Sequence, residues 1–98
     1  MQQYAIIRRH GWQSVSDLEA AAARSSQVAD EEMPEDIRWI RSYVLDEGGG
    51  AVGTLCIYEA SSPDAIHAHA AKADLPVDEV VPIADTVIVR PDPEPATA

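Results

Sequence analysis

IRWIRSYVL (37–45), DEGGGAVG (46–53) and TLCIYE (54–59) follow one another without a break, and their reading decides the fold. The outer two are β-branched and aromatic, which suits a pleated, half-buried surface. The middle one is turn chemistry. Together they predict a β-hairpin with a flexible glycine-rich connection. Upstream, YAIIRR (4–9) reads as a strand ended by Gly11. Ser16 and Glu19 then stand at capping-box spacing ahead of an alanine-rich stretch, so a helix starts there and Pro34 stops it near Met33. Downstream, Ser62-Pro63 offers a serine N-cap and a proline at the first helical position, predicting a helix to about Ala73. VVPIADTVIVR (80–90) reads as a last strand, with Pro82 favouring an edge or an irregular start.

The order strand, helix, strand, strand, helix, strand is the split βαβ pattern. The expected class is α+β, ferredoxin-like βαββαβ, with a four-stranded antiparallel sheet and both helices on one face. Residues 1–90 form that single domain. Residues 91–98 (PDPEPATA) form a proline-rich acidic tail, expected to be disordered.

Ninety-eight residues allow one modest core. Phe is absent, so that core is built from Ile, Val, Leu and a few aromatics. Seven basic against seventeen acidic residues give a formal charge of −10, which disfavours nucleic-acid backbones and anionic lipid as partners. The single cysteine, Cys56, forms no internal disulfide and no cysteine zinc site. No apolar run reaches the ~20 residues that cross a bilayer. The first residues lack the basic-then-apolar order of a signal peptide. A cytoplasmic protein is the resulting expectation.

Side chains alternate along strands, so parity sorts the faces. Ala5, Ile7, Ile40, Val44, Leu55 and Ile57 form an apolar set expected under the helices. The opposite parity gives Tyr4, Ile6, Arg8 and His10, then Trp39, Arg41 and Tyr43, then Thr54, Cys56 and Tyr58. This aromatic and polar set is expected on the open face, where two copies would pair and enclose a ligand cavity. Its candidate ligand-binding residues are Tyr4, Arg8, Trp39, Arg41, Tyr43, Cys56 and Tyr58.

Imidazole donors suit divalent first-row metal ions, and the candidates are His10 and His69. His67 and His69 lie two apart on a helix and cannot grip one ion together. His69 shares a stripe with Ile66 and leans toward the sheet, where a hydrogen bond is the bland alternative. No HxxxH or CxxC motif is present, and no nucleophile elbow or phosphate loop. Cys56 is either a thiol activated by positive neighbours or a small buried hydrophobe. The acidic run at 30–36 is a solvated helix end or a loose cation surface. Arg8, Arg9, Arg38 and Arg41 cluster on the first two strands, and either pair with these acids or meet an anionic ligand.

WIRSYV at 39–44, CIYEA at 56–60, Ala65-Ile66, His69-Ala70 and LPVDEV at 75–80 occur in one order. In this the chain resembles a bacterial family of small ferredoxin-fold proteins of unknown function, one of whose members is described as nickel-binding. Trp39, Ser42, Tyr43, Cys56, Tyr58, His69 and Pro76 match its recurring residues. The resemblance implies a homodimer joined through its sheets, in the manner of dimeric α/β-barrel proteins, with nickel or another divalent metal as a cofactor. GGGAVG and the proline-rich tail depart from the shorter family pattern. The function expected is a homodimeric binding protein for a metal or small molecule at the sheet–sheet interface, with turnover left open. The alternative is a cofactor-free oxygenase- or isomerase-like enzyme built on the same dimeric barrel, which is fold analogy alone.

Overall fold

Strand β1 (Gln2–Trp12) lies inside the sheet, flanked by β3 (Ala51–Ala60) and β4 (Glu79–Pro82); β2 (Ile37–Gly48) closes the far edge. The order β2-β3-β1-β4 is antiparallel at every pairing. With helices α1 (Val15–Gln27) and α2 (Pro63–Ala73), this is the expected ferredoxin-like α+β architecture. The computed structural model describes residues 1–93. No helix among them is long and apolar enough to cross a membrane.

Both helices begin on serines. Ser62 Oγ accepts from Ala65 N at 3.2 Å, with Pro63 at the first helical position, as the sequence predicts. Helix α1 begins two residues before its expected start. Ser14, not Ser16, is the N-cap, and its Oγ accepts from Asp17 N at 3.2 Å. Ser14-x-x-Asp17 and Ser16-x-x-Glu19 offer the same spacing of cap and acid. Because β1 runs on to Trp12, the chain turns early and Ser14 is the serine left extended. A π-helical turn, Val28–Glu32, carries the chain on to Met33, where the helix was expected to stop before Pro34.

The hairpin is tighter than a flexible loop. The reversal is made by Gly49 and Gly50; Gly48↔Ala51, Asp46↔Val52 and Leu45↔Gly53 remain paired, and Glu47 is bulged out between them. Gly48, Gly49 and Gly50 all have positive φ, which explains the glycine run: the reversal needs backbone that side chains resist.

The last strand is shorter than expected. It keeps four residues and stops at Pro82, which has no N–H to donate. Residues 83–93 leave the β4 edge and cross to the opposite edge, where Asp92 reaches Arg41 and Tyr43 of β2. Val87, Ile88 and Val89 along this strap are 85%, 77% and 81% exposed. Of the acidic tail, Pro91, Asp92 and Pro93 are described; the disorder expected of 94–98 lies outside the described residues.

The parity grouping holds on β1 and β3, but the helices cover the other set. Tyr4, Ile6, Arg8, Thr54, Cys56 and Tyr58 are buried. With Ile37, Ile66, Ala29, Ala60 and Ala65, most of them form one core cluster. Ala5, Ile7, Leu55 and Ile57 lie on the open face and are only partly buried. On β2 a bulge splits the expected set: register passes from Trp39↔Tyr58 to Arg41↔Ile57, leaving Ile40 unpaired. Trp39 and Ser42 therefore face the helices, while Arg41 and Tyr43 turn to the open face.

Candidate functional site

Arg8 is the least expected member of the core. It projects from β1 toward the helices and is 1% exposed. Its Nε, Nη1 and Nη2 have no hydrogen-bond partner among the described residues. Its guanidinium carbon lies 5.9 Å from the centroid of the Tyr58 ring, whose face offers partial electrostatic compensation. Burying a charge without a partner is costly, so a side chain kept there has a reason beyond packing.

Arg8 lines a partly open cleft of about 100 Å³ between α1 and the sheet. Leu18, Ala21, Ala22 and Ser25 of α1 form one wall; Thr54, Cys56 and Tyr58 of β3 and Trp39, Ser42 and Val44 of β2 form the other. Trp12 and Leu75 complete it. The small side chains of α1 leave volume unfilled against the sheet, and that is the space. Among the described residues lining the cleft, Arg8 is the only charged one. The Thr54 hydroxyl is also buried without a partner.

The aromatic wall is fixed by a polar relay. Trp39 stacks on Tyr58 at 6.1 Å between centroids, and the Trp39 Nε1–H donates to Ser42 Oγ at 2.7 Å. Ser42 Oγ in turn donates to Cys56 Sγ at 2.9 Å. On the other side Tyr58 Oη and Ser25 Oγ are 2.9 Å apart. His69 is tilted against Tyr58, and its Nε2 lies 3.0 Å from the Ser25 carbonyl, which only an N–H there can satisfy. Burial pushes the Tyr58 phenol up from its ordinary value. Burial also pushes the His69 imidazole down, and the Arg8 charge adds to that. His69 is thus a neutral Nε2–H tautomer, with Nδ1 buried and unpartnered.

The structure brings Arg8, Trp39, Cys56 and Tyr58 around this cleft, under the helices and away from the open face. Tyr4 is buried in the adjoining core. Arg41 and Tyr43 are separated from the rest; both bind Asp92 through the strap, Arg41 Nη1 at 2.5 Å and the Tyr43 hydroxyl at 2.8 Å. Ser25, Thr54 and Trp12 were not singled out by sequence as site residues. The one signal for Ser25 is a hydroxyl inside the apolar stripe of an alanine-rich helix.

The two candidate metal ligands lie in different surroundings. His69 is in the core with Nε2 committed to Ser25. His10 is exposed at the end of β1, where φ of 50° accompanies the register shift between Arg8 and Trp12. Its Nε2 is 2.8 Å from Glu47 Oε2, and Arg9 Nε donates to the same carboxylate at 2.9 Å. The hydrogen bond from Arg9 holds Glu47 below the usual carboxylate range. Among the described residues no three His, Cys, Asp or Glu side chains gather to hold a metal ion.

No curated protein and no solved structure shows significant similarity to this chain. A family model does match over residues 4–83, which spans every strand and both helices. The chain belongs to the family described as nickel responsive protein, SCO4226-like.

Proposed function

We propose that this chain is a binding protein that takes a small molecule into the cleft between α1 and the sheet. The observation that carries this reading is the cleft itself: an aromatic and apolar pocket whose polar groups, Arg8 and Thr54, are buried and unpartnered. Binding pockets elsewhere are built in this way, mostly apolar with few placed polar groups. Acid–base turnover finds little support in the cleft, since Tyr58 is held protonated and His69 does not line it.

Two copies would join through their open faces, where Ile40, Tyr43 and Val81 leave apolar surface in water. The buried, unpaired Cys56 suits a reducing cytoplasm. Native mass spectrometry of the full chain purified from its host tests the reading. The expected result is the mass of two chains carrying an organic adduct. A clean monomer free of adducts would overturn it.

A second reading follows from His10 and Glu47, a donor pair with an exposed imidazole and a covered carboxylate, and from the family's description as nickel responsive. A divalent ion would sit between two copies, each contributing this pair. Equilibrium dialysis against Ni²⁺ should give about one ion per two chains, lost in His10→Ala. Unchanged uptake in that variant removes this reading.

A further inference from the structure

Arg8 narrows the chemistry of the cleft. The chain has seventeen acidic residues, yet none lines the cleft among the described residues and none pairs with Arg8. Three arginines with surface positions find acids: Arg9 meets Glu47, Arg38 meets Glu59 and Arg41 meets Asp92. Arg8 alone of these four is buried and left with all three nitrogens unpaired. Its charge also disfavours a bare cation in the cleft. A guanidinium presents its donors as a planar fork that matches two carboxylate oxygens.

We infer that the ligand of this cleft is a small monocarboxylate with an apolar body, its carboxylate held by the Arg8 guanidinium and the Thr54 hydroxyl. The inference rests on the cleft's being a ligand site. One positive charge matches one negative charge. A phosphate dianion would leave excess charge among Leu18, Ala21, Ala22 and Val44. The apolar body would lie against Trp39 and Tyr58. A cavity of about 100 Å³ admits a body of a few heavy atoms, with the open side accommodating a ring edge. By comparison, a dry cavity of roughly 150 Å³ holds benzene. His69 complements the arrangement, because a neutral imidazole adds no second charge to the site.

Both tryptophans of the chain, Trp12 and Trp39, line the cleft, so intrinsic fluorescence reports its occupancy. The full-length chain is titrated with benzoate, benzamide and inorganic phosphate at constant ionic strength, followed by fluorescence and by ¹H–¹⁵N NMR. Benzoate should saturate, with benzamide at least tenfold weaker and phosphate without saturation. Arg8→Met should remove the benzoate response while raising the melting temperature, because it takes an unpaired charge out of the core. Thr54→Val should weaken benzoate severalfold. Equal binding of benzamide and benzoate, or a full response in folded Arg8→Met, overturns the carboxylate inference and leaves the cleft as a ligand site. Saturation by phosphate tighter than by benzoate overturns it in favour of a tetrahedral anion. If none of the three probes shifts the cleft resonances, the carboxylate inference and the ligand-site reading both fall. The benzoate–benzamide contrast is measured on the unmodified chain and does not depend on any variant folding.

Discussion

The two faces of the sheet carry opposite kinds of side chain, and each is the reverse of what amphipathicity alone suggests. The helix-covered face carries Arg8, Ser42, Thr54 and Cys56 among aromatics, and the helices bring Ser25 and His69 down onto it. The open face holds Ala5, Ile7, Leu55 and Ile57 beside Arg41 and Tyr43, and the strap from residues 83–93 passes over it. A sheet buries polar groups beneath helices only when their hydrogen bonds are met or when something else meets them. Most of the buried hydroxyls and ring nitrogens here are met from within. Arg8, Thr54 Oγ1 and His69 Nδ1 are not. The covered face therefore carries the candidate site as well as the core, while the open face leaves apolar side chains only partly buried.

The sharpest test of that contrast compares neighbours on β1. Ile6 is fully buried under the helices, and Ile6→Ala should cost about 3 kcal/mol in chemical denaturation, from lost burial plus a cavity. Ile7 points to the open face and is half-buried, so Ile7→Ala should cost about 1 kcal/mol. Equal losses at both positions would mean that a second copy covers the open face.

Gly53 tests how closely the sheet is drawn together behind the cleft. A Cβ there would press into the Arg8 carbonyl and stand 3.2 Å from His10 N. These are backbone atoms that give way only if β1 and β3 part. Gly53→Ala should cost roughly 1–3 kcal/mol and disturb the Trp39 environment in near-ultraviolet circular dichroism. A neutral result would show that the β1–β3 register shift is loosely held.

His69 offers a pH test. It faces Tyr58 of β3, Ser25 of α1 and the Arg8 charge of β1, and its folded pKa is depressed by burial. Below the ordinary imidazole value of about 6.5 the unfolded chain therefore binds a proton that the folded chain does not. Stability should be full above that pH and fall as pH drops toward the depressed folded value. The slope is at most about 1.4 kcal/mol per pH unit. Thermal melts between pH 7.5 and 5.5 should show this loss, and His69→Gln should flatten it. No difference in slope between the two proteins would mean that His69 is not the group responsible.

The smallest effect belongs to the strap. Asp92 meets Arg41 and Tyr43 at the protein surface, where ion pairs contribute little. Asp92→Asn should leave the melting midpoint within error of the unmodified chain. A clear drop would instead tie the strap to the open face as a structural cover.

Much of the fold was legible in the chain. The hairpin, the Ser62-Pro63 helix start and the stop before Pro34 are local effects of glycine, serine and proline chemistry, and each appears where the residues place it. The side chains lining the cleft were legible only as a set. Parity grouped Arg8, Cys56, Tyr58 and Trp39 because successive strand residues alternate sides, but it admitted Arg41 and Tyr43 as well. The bulge at Ile40 removed those two, and no residue type at that position announces it. His10 and His69 were linked by chemistry and separated by geometry. One sits at a strand end with a left-handed backbone, the other in the core.

What the sequence determined by itself is the order of elements, their caps and turns, and the division of β1 and β3 into two sets of side chains. These follow from short-range sterics and hydrogen bonding, which act between residues a few positions apart. Only the tertiary structure decided which set the helices cover. Both sets contain enough apolar surface to form a core, so periodicity leaves them nearly equivalent. The choice falls to packing: the small residues of α1 and the Ile66–His69 stripe of α2 fit over Ile6, Cys56 and Tyr58 and leave a cleft beside Arg8.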